Sequence, residues 1–345
     1  GETLRIAYGD IVREQPLQTV TEQISFLADA ILEAALRAAR RNLQTRRGTP
    51  IGPDGQPARF VVLAMGKLGG RELNYSSDVD LIFVYDGEGH TDGRRPTSNA
   101  DFFAQLAREI VRLTAEPTDL GSAYRVDLRL RPEGDRGPIV CSMPSALAYY
   151  DVRGRTWERQ AYIKARPVAG DLELGRELLR RLARWIYRRY LGLADISGIK
   201  ALKRRIERPA RHEVANRRDV KTGYGGIRDV EIVIQFLQLL NGGDSSELRT
   251  GNTLEAIDRL ERVGCLSSPE QMLLSNHYVF LRKIEHRLQI MFDLQTHELP
   301  QRPDDMRKLA LRMGYTDGGE PSALEAFEAD YRDKTRLNRR ILDHL

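Results

Sequence analysis

The sequence predicts an α+β fold in two parts: a mixed domain over residues 1–144 that opens with a helix, and an all-α helical bundle over residues 145–345. Three observations carry this. Two short runs rich in β-branched and aromatic residues, Val61–Met65 and Val79–Tyr85, flank a glycine-rich turn, as buried strands do. Tyr124–Arg131 alternates strictly between apolar and charged residues, the period of a half-buried strand. After about residue 145 the apolar spacing turns helical and such alternation becomes rare.

In chain order, Thr19–Leu43 places Val20, Ile24, Leu27, Ile31, Ala35 and Ala39 on one side of a helix, with Thr19 or Thr21 as its cap and Arg37, Arg40 and Arg41 near its end. Gly48–Pro57 is a loop leading into the first core strand. Asp86–Asn99 is a polar loop, either a mobile active-site element or a disordered tip. Asp101–Ala115 is a helix with Phe102, Leu106, Ile110 and Leu113 on one side, ended by Pro117. Pro132–Pro138 is a glycine-rich turn before a short strand at Ile139–Cys141. Further helices are expected near 145–152, 171–190, 196–219, 226–241, 252–264, 268–294 and 320–343, with Pro209 kinking or dividing one of them. There is no internal repeat.

The chemistry concentrates at Gly66–Tyr85. Side chains in a strand alternate, so Asp78 and Asp80 project together while Val79 and Leu81 enter the core. Two carboxylates side by side repel unless a cation lies between them, and hard oxygen ligands favour Mg²⁺ or Mn²⁺. Gly69 and Gly70 permit a tight turn and close approach to a ligand, with N–H groups suited to a phosphate. In Tyr124–Arg131, Arg125, Asp127, Arg129 and Arg131 share one face. That face is either a salt-bridged sheet surface or a third metal-ligand carboxylate among phosphate-binding cations; after an Asp-x-Asp unit the second reading is preferred.

With 54 basic and 49 acidic residues among 345, the net charge of +5 describes a mixed surface, too mild to establish nucleic-acid binding, although a local basic face could attract nucleotide or an acidic protein. A nucleic-acid polymerase would show a stronger basic excess with aromatic stacking positions. No apolar run approaches the roughly 20 residues that span a bilayer, and no signal peptide is visible. Two cysteines far apart, Cys141 and Cys265, make neither a disulfide framework nor a zinc site, so a cytoplasmic setting is expected. The missing initiator Met suggests a fragment or a processed chain.

Three further stretches stay open on spacing alone. In Thr156–Arg166, Arg159, Lys164 and Arg166 either touch a triphosphate or substrate backbone, or belong to a packed linker with Trp157 in the core. Asp229 and Glu231, after Gly225-Gly226, either serve the site or simply favour a helix dipole. The basic run Lys203–Lys221 is foremost a solvated helix face and secondarily a docking surface. The six histidines show no metal-ligand spacing, and His286 is a packed helix residue.

Gly-Gly followed by Asp-x-Asp on a strand is similar to the pattern of the nucleotidyltransferase superfamily, and the longer string Gly66-Lys-Leu-Gly-Gly-Arg-Glu-Leu-Asn-Tyr-Ser-Ser-Asp-Val-Asp-Leu81 resembles the catalytic motif of glutamine synthetase adenylyltransferase/adenylyl-removing enzymes. The resemblance extends through Leu4–Tyr8, Tyr124–Pro132, Gly137–Val140, Tyr149-Tyr150, Trp157-Glu158, Lys164–Arg166, Gly225–Glu231 and Leu281–Arg287. It implies a polymerase-β-like nucleotidyltransferase domain. Members have two catalytic halves, one adding and one removing AMP. Asn74-Tyr-Ser-Ser-Asp78, Tyr149-Tyr150 and Gly225–Asp229 look more like the N-terminal, removing half, so the chain is expected to be a fragment without the second half.

What the resemblance implies is Mg²⁺-dependent phosphorolysis of adenylylated tyrosine on glutamine synthetase by inorganic phosphate. This gives ADP and unmodified enzyme, and so regulates nitrogen metabolism. Asp78, Asp80 and Asp127 would be the catalytic, metal-holding carboxylates. Gly69, Gly70, Ser77, Arg129 and Arg131 would face the nucleotide and its phosphates, with no nucleic acid or membrane partner. Two other readings stand beside it. One is the AMP-adding half, using ATP. The other is a silent docking module for glutamine synthetase or a PII-type signalling protein, against which the intact aspartates argue.

Overall fold

The computed structural model describes residues 1–119, 121–188, 218–292 and 294–344. The chain falls into two compact units, Gly1–Leu73 with Ser77–Arg188, and Asn74–Ser76 with Arg189–Leu345. The first unit therefore runs well past the expected boundary at 144. The reason is a strand, β7 (Arg166–Gly170), that the helical pattern around it concealed. It adds to the sheet edge, and two of the helices flanking it stay with the sheet.

That sheet orders its strands β5-β3-β2-β7, with β2 at Phe60–Ala64, β3 at Val79–Tyr85 and β5 at Val126–Asp127; β6 (Val140–Ser142) also pairs with β3. β2 and β3 are antiparallel, from Phe60↔Tyr85 to Ala64↔Leu81. β5 and β6 lie parallel to β3, at Val79–Asp80 and at Phe83–Tyr85. A second, two-stranded ribbon joins β1 (Pro50–Ile51) to β4 (His90–Thr91).

Helix α1 (Glu2–Ile11) packs on α2 (Leu17–Arg47). α4 (Asn99–Ala115) stacks Phe103 on Phe60 and Tyr85, with centroids 5.3 and 5.0 Å apart. On the other face, α7 (Leu172–Ile186) comes close through Gly175, where a Cβ would lie 2.5 Å from Pro167 and 3.0 Å from Val61. Both faces are covered, which is why β2 and β3 read as nearly continuous apolar runs. Within β3 only Asp80 is not fully buried.

The long helix was legible, but its face turns by one residue. Ala28, Leu32 and Leu36 are buried, while Leu27, Ile31 and Ala35 are half-buried. The helix starts at Leu17 after Pro16, without a threonine cap, and runs on to Arg47. The 86–99 loop is bonded to its neighbours at both ends. Asn99 Nδ2 donates to the Ile51 and Gly87 carbonyls, and Asp92 Oδ1 accepts from the Thr49 N–H. The alternation over 124–131 yields a strand of only two residues. Asp127 Oδ1 accepts the backbone N–H of Arg129 at 2.8 Å, an Asx turn that bends the chain out of the sheet.

Of the second unit, the described elements are α8 (Ile227–Asn241), α9 (Thr253–Arg262), α10 (Ser268–Phe292), α11 (Pro303–Arg312) and α12 (Ala323–His344), besides short turns. They enclose an apolar core that includes Leu281, Ile284, Leu288 and Phe327. Asn74 is fully buried in this unit, its Oδ1 accepting from Arg282 and meeting His286 Nε2 at 3.1 Å, so His286 is packed as expected. The acids of the 225–231 motif have structural partners. Asp229 Oδ2 accepts the Gly225 N–H at 2.9 Å and Glu231 accepts from Tyr278 Oη. The expected helix at 196–219 up to residue 217, Pro209 and nearly all of the 203–221 basic run lie outside the described residues.

Candidate active site

Asp80 and Asp127 face each other across the parallel pairing of β3 and β5, so their side chains leave the same face of the sheet. Asp78 precedes β3 by one residue and is about two-fifths exposed. The structure therefore brings the three predicted carboxylates to one edge of one sheet. Asp78 Oδ1 accepts from Arg125 Nε at 2.6 Å. Asp127 Oδ2 accepts from Arg129 at 2.8 and 2.5 Å. The Arg129 contact, reinforced by the backbone N–H of Arg129 and the charge of Arg131, holds the Asp127 carboxyl below the usual range despite partial burial.

Asp80 lies against the glycine turn. A Cβ built on Gly66, whose φ is +52°, would fall 2.5 Å from Asp80 Oδ2, so a larger residue would strain the turn and push on that carboxylate. The turn itself is a single helical turn, α3 (Gly66–Gly69). Within it the N–H of Gly69 donates to Met65 O and that of Gly70 to Gly66 O. The close approach at Gly69 is to the chain itself, since a Cβ there would lie 1.8 Å from the Lys164 carbonyl.

The other candidates separate. Arg129 reaches outward, with about three-quarters of its side chain exposed. Arg131 turns inward, donating to the Leu128 carbonyl at 2.9 Å and more weakly to Gly137, and so staples the 128–137 turn. Ser77 is half-buried, one residue ahead of Asp78. Lys164 and Arg166 are structural cations. Lys164 Nζ lies 2.5 Å from Glu72 in a buried pair, and Arg166 forks onto Asp29 at 2.7 and 3.0 Å. Arg159 is buried, with Nε donating to the Ile186 carbonyl. The packed-linker reading holds for these cations but not for Trp157, which is exposed; Trp185 supplies the indole beside Tyr150 and Tyr162. Arg125, which the alternation groups with Arg129 and Arg131 as candidate phosphate-binding cations, pairs with Asp78.

The donor set fits a hard divalent cation in type and in register: carboxylates on adjacent strands, facing one way. It is not gathered into a ligand cluster. Among the described residues no group of three or more His, Cys, Asp or Glu side chains is placed to hold a metal ion, and Asp78 and Asp127 are turned onto arginines. The guanidinium groups stand where a positive charge is needed. No helix among the described residues is long and apolar enough to cross a membrane.

The chain has known relatives. The chain is 40% identical over 343 residues to the bifunctional glutamine synthetase adenylyltransferase/adenylyl-removing enzyme of Thioalkalivibrio sulfidiphilus, covering 99% of this chain and 34% of the relative. It is similar to proteins of the same description from Xanthomonas campestris (40% over 312 residues; 90% and 33%) and Nitrosococcus oceani (42% over 318 residues; 92% and 33%). The chain thus spans about a third of the length of the curated relatives it matches. A GlnD PII-uridylyltransferase family model matches residues 198–345, and a glutamate-ammonia ligase adenylyltransferase model matches residues 1–181, the sheet and its three aspartates included. The chain belongs to the glutamate-ammonia ligase adenylyltransferase family.

Proposed function

We propose that this chain removes AMP from an adenylylated tyrosine of glutamine synthetase by phosphorolysis, with Mg²⁺ or Mn²⁺ as cofactor, ADP as product and the cytoplasm as its setting. The observation that carries the reading is the facing of Asp80 and Asp127 across the β3–β5 pairing, with Asp78 at the head of β3. The removing direction rests on the sequence of Asn74–Asp78, Tyr149-Tyr150 and Gly225–Asp229.

Asp78, Asp80 and Asp127 would hold the divalent ion, which when bound supplies the positive charge that lets two phosphate anions approach. Arg129, exposed beside Asp127, is placed to bind the incoming inorganic phosphate once its carboxylate partner is engaged elsewhere. An oxygen of that phosphate attacks the α-phosphorus of the tyrosine-bound AMP. A new P–O–P bond forms, the P–O bond to tyrosine breaks, and the phenolate takes up the proton that the attacking hydrogen phosphate gives up. A phenol of ordinary pKa about 10 is a fair leaving group. Phosphate is already anionic, so the side chains have to offset charge rather than remove a proton. Ser77 and the Gly66–Gly70 turn would border the nucleotide phosphate.

The test is ADP release from adenylylated glutamine synthetase with Mg²⁺ and inorganic phosphate, in the wild type, Asp80→Asn and Asp127→Asn. Phosphate-dependent ADP that disappears in both variants supports the reading. Persistence of activity in either variant removes that carboxylate from the mechanism.

A further inference from the structure

The glycine turn beside Asp80 is held from outside, and its holders are the cations that the sequence offered as substrate contacts. At its near end the Met65 N–H donates to Asp80 O at 2.9 Å, so the turn leaves the sheet at the level of Asp80. At its far end Lys67 O accepts the Glu72 N–H at 2.8 Å and Leu68 O the Arg71 N–H at 3.2 Å. Arg166 adds a side-chain clamp to these bonds: Nη2 donates to Leu68 O at 3.0 Å and Nε to Gly69 O at 3.2 Å. The same guanidinium is fixed by the two oxygens of Asp29 on α2. Beyond the turn, Glu72 pairs with buried Lys164, and the Leu73 N–H donates to Ser25 Oγ at 3.2 Å. Ser25 and Asp29 are one helical turn apart on α2, so one helix and one strand frame the whole turn.

We propose that Arg166 is a positioning residue for Asp80. By clamping Leu68 and Gly69 from an anchor on Asp29, it keeps Gly66 pressed against the Asp80 carboxylate and sets the direction in which that carboxylate presents its oxygens. This rests on the reading that Asp80 helps to hold a divalent cation. Without the clamp the turn pivots about Met65 and the constraint on Asp80 relaxes. A lysine at 166 keeps the charge but not the fork that spans two carbonyls and a carboxylate.

The test is titration of the 345-residue chain with Mn²⁺ alone, free ion being read by electron paramagnetic resonance and folding by thermal denaturation. Wild type is expected to bind Mn²⁺ and Asp80→Asn to lose binding. Arg166→Gln is expected to weaken affinity about 10–100-fold, the range for partners that orient metal ligands, with Arg166→Lys in between. Arg59→Gln, which breaks an ion pair with Asp86 elsewhere in the unit, is expected to bind as wild type. Should Arg166→Gln fail to fold, Gly66→Ala pushes on Asp80 directly and is expected to weaken Mn²⁺ in the same way. A folded Arg166→Gln, or failing that Gly66→Ala, with wild-type affinity overturns the positioning role alone. A wild type that binds no Mn²⁺ overturns the cation reading and this proposal together.

Discussion

Asp80 of β3 and Asp127 of β5 are direct partners in a parallel strand pair, one carboxylate opposite the other on the same sheet face. Like charges so placed destabilise a sheet unless a cation intervenes, and Arg129 pairs with Asp127 within electrostatic reach of Asp80. Removing either carboxylate should therefore spare the fold and abolish chemistry. Asp80→Asn and Asp127→Asn are each expected to reduce ADP release on the order of 100-fold or more, the cost of losing several kcal/mol of charge stabilisation. Melting temperatures within a few degrees of wild type would show that the loss is local.

Lys164 and Glu72 make a different prediction. Their side chains are 7% and 4% exposed and 2.5 Å apart, so neither has water as an alternative. Lys164→Met should destabilise by about 3–5 kcal/mol in urea unfolding, because it removes the cation of a buried ion pair. Adding Glu72→Leu should recover most of that loss. A double variant no better than the single one would mean that Lys164 matters through other contacts.

Glycine substitutions separate packing from backbone strain. Gly69→Ala would drive a methyl to 1.8 Å from the Lys164 carbonyl and 2.6 Å from that of Ala64. It should destabilise by about 3 kcal/mol, at the upper end for overpacking. Gly55→Ala meets nothing within 4 Å and has only its φ of +73° against it. It should cost about 1 kcal/mol. Denaturant midpoints of the two variants provide the comparison.

His277 should give the second unit an acid limb. It is buried with Nδ1 2.8 Å from Asn338 Oδ1. Burial pushes its pKa down and the Lys334 charge adds to this, outweighing Asn338 and Asp330. With the folded value below the unfolded one, the unfolded chain takes up the proton first. Stability from this site is complete above about pH 6.5 and declines as pH falls through that value toward the lower folded one. Unfolding midpoints between pH 8 and pH 5 should fall, and His277→Gln should flatten the dependence.

Most of the first unit could be read from its sequence because burial on both faces imposes long apolar runs on β2 and β3, and the amphipathic periods of α2 and α4 are strong. The acids of the candidate site share a strand pattern that alternation made legible. What escaped notice depends on tertiary partners. Nothing in Arg166-Pro167-Val168-Ala169-Gly170 distinguishes an edge strand from a linker until β2 is beside it. Arg131 shares the alternation with Arg129, yet the Asx turn at Asp127 sends it into the loop while Arg129 stays outside. Lys164 and Arg166 carry charge in a stretch that looks substrate-facing; their acids, Glu72 and Asp29, are 92 and 137 residues away in sequence. Trp157 is exposed for the same reason: Trp185, from a later helix, fills the place beside Tyr150.

The most direct test of AMP removal by phosphorolysis follows the phosphate itself. Adenylylated glutamine synthetase, Mg²⁺ and ³²P-labelled inorganic phosphate are incubated with this chain, and the nucleotide products are separated. The account predicts ADP carrying the label in its β-phosphate, in equal amount to the tyrosine set free. Unlabelled AMP would mean that water, not phosphate, is the nucleophile. No release at all, with AMP transferred from ATP onto unmodified glutamine synthetase, would contradict the account and assign the chain to the adding reaction.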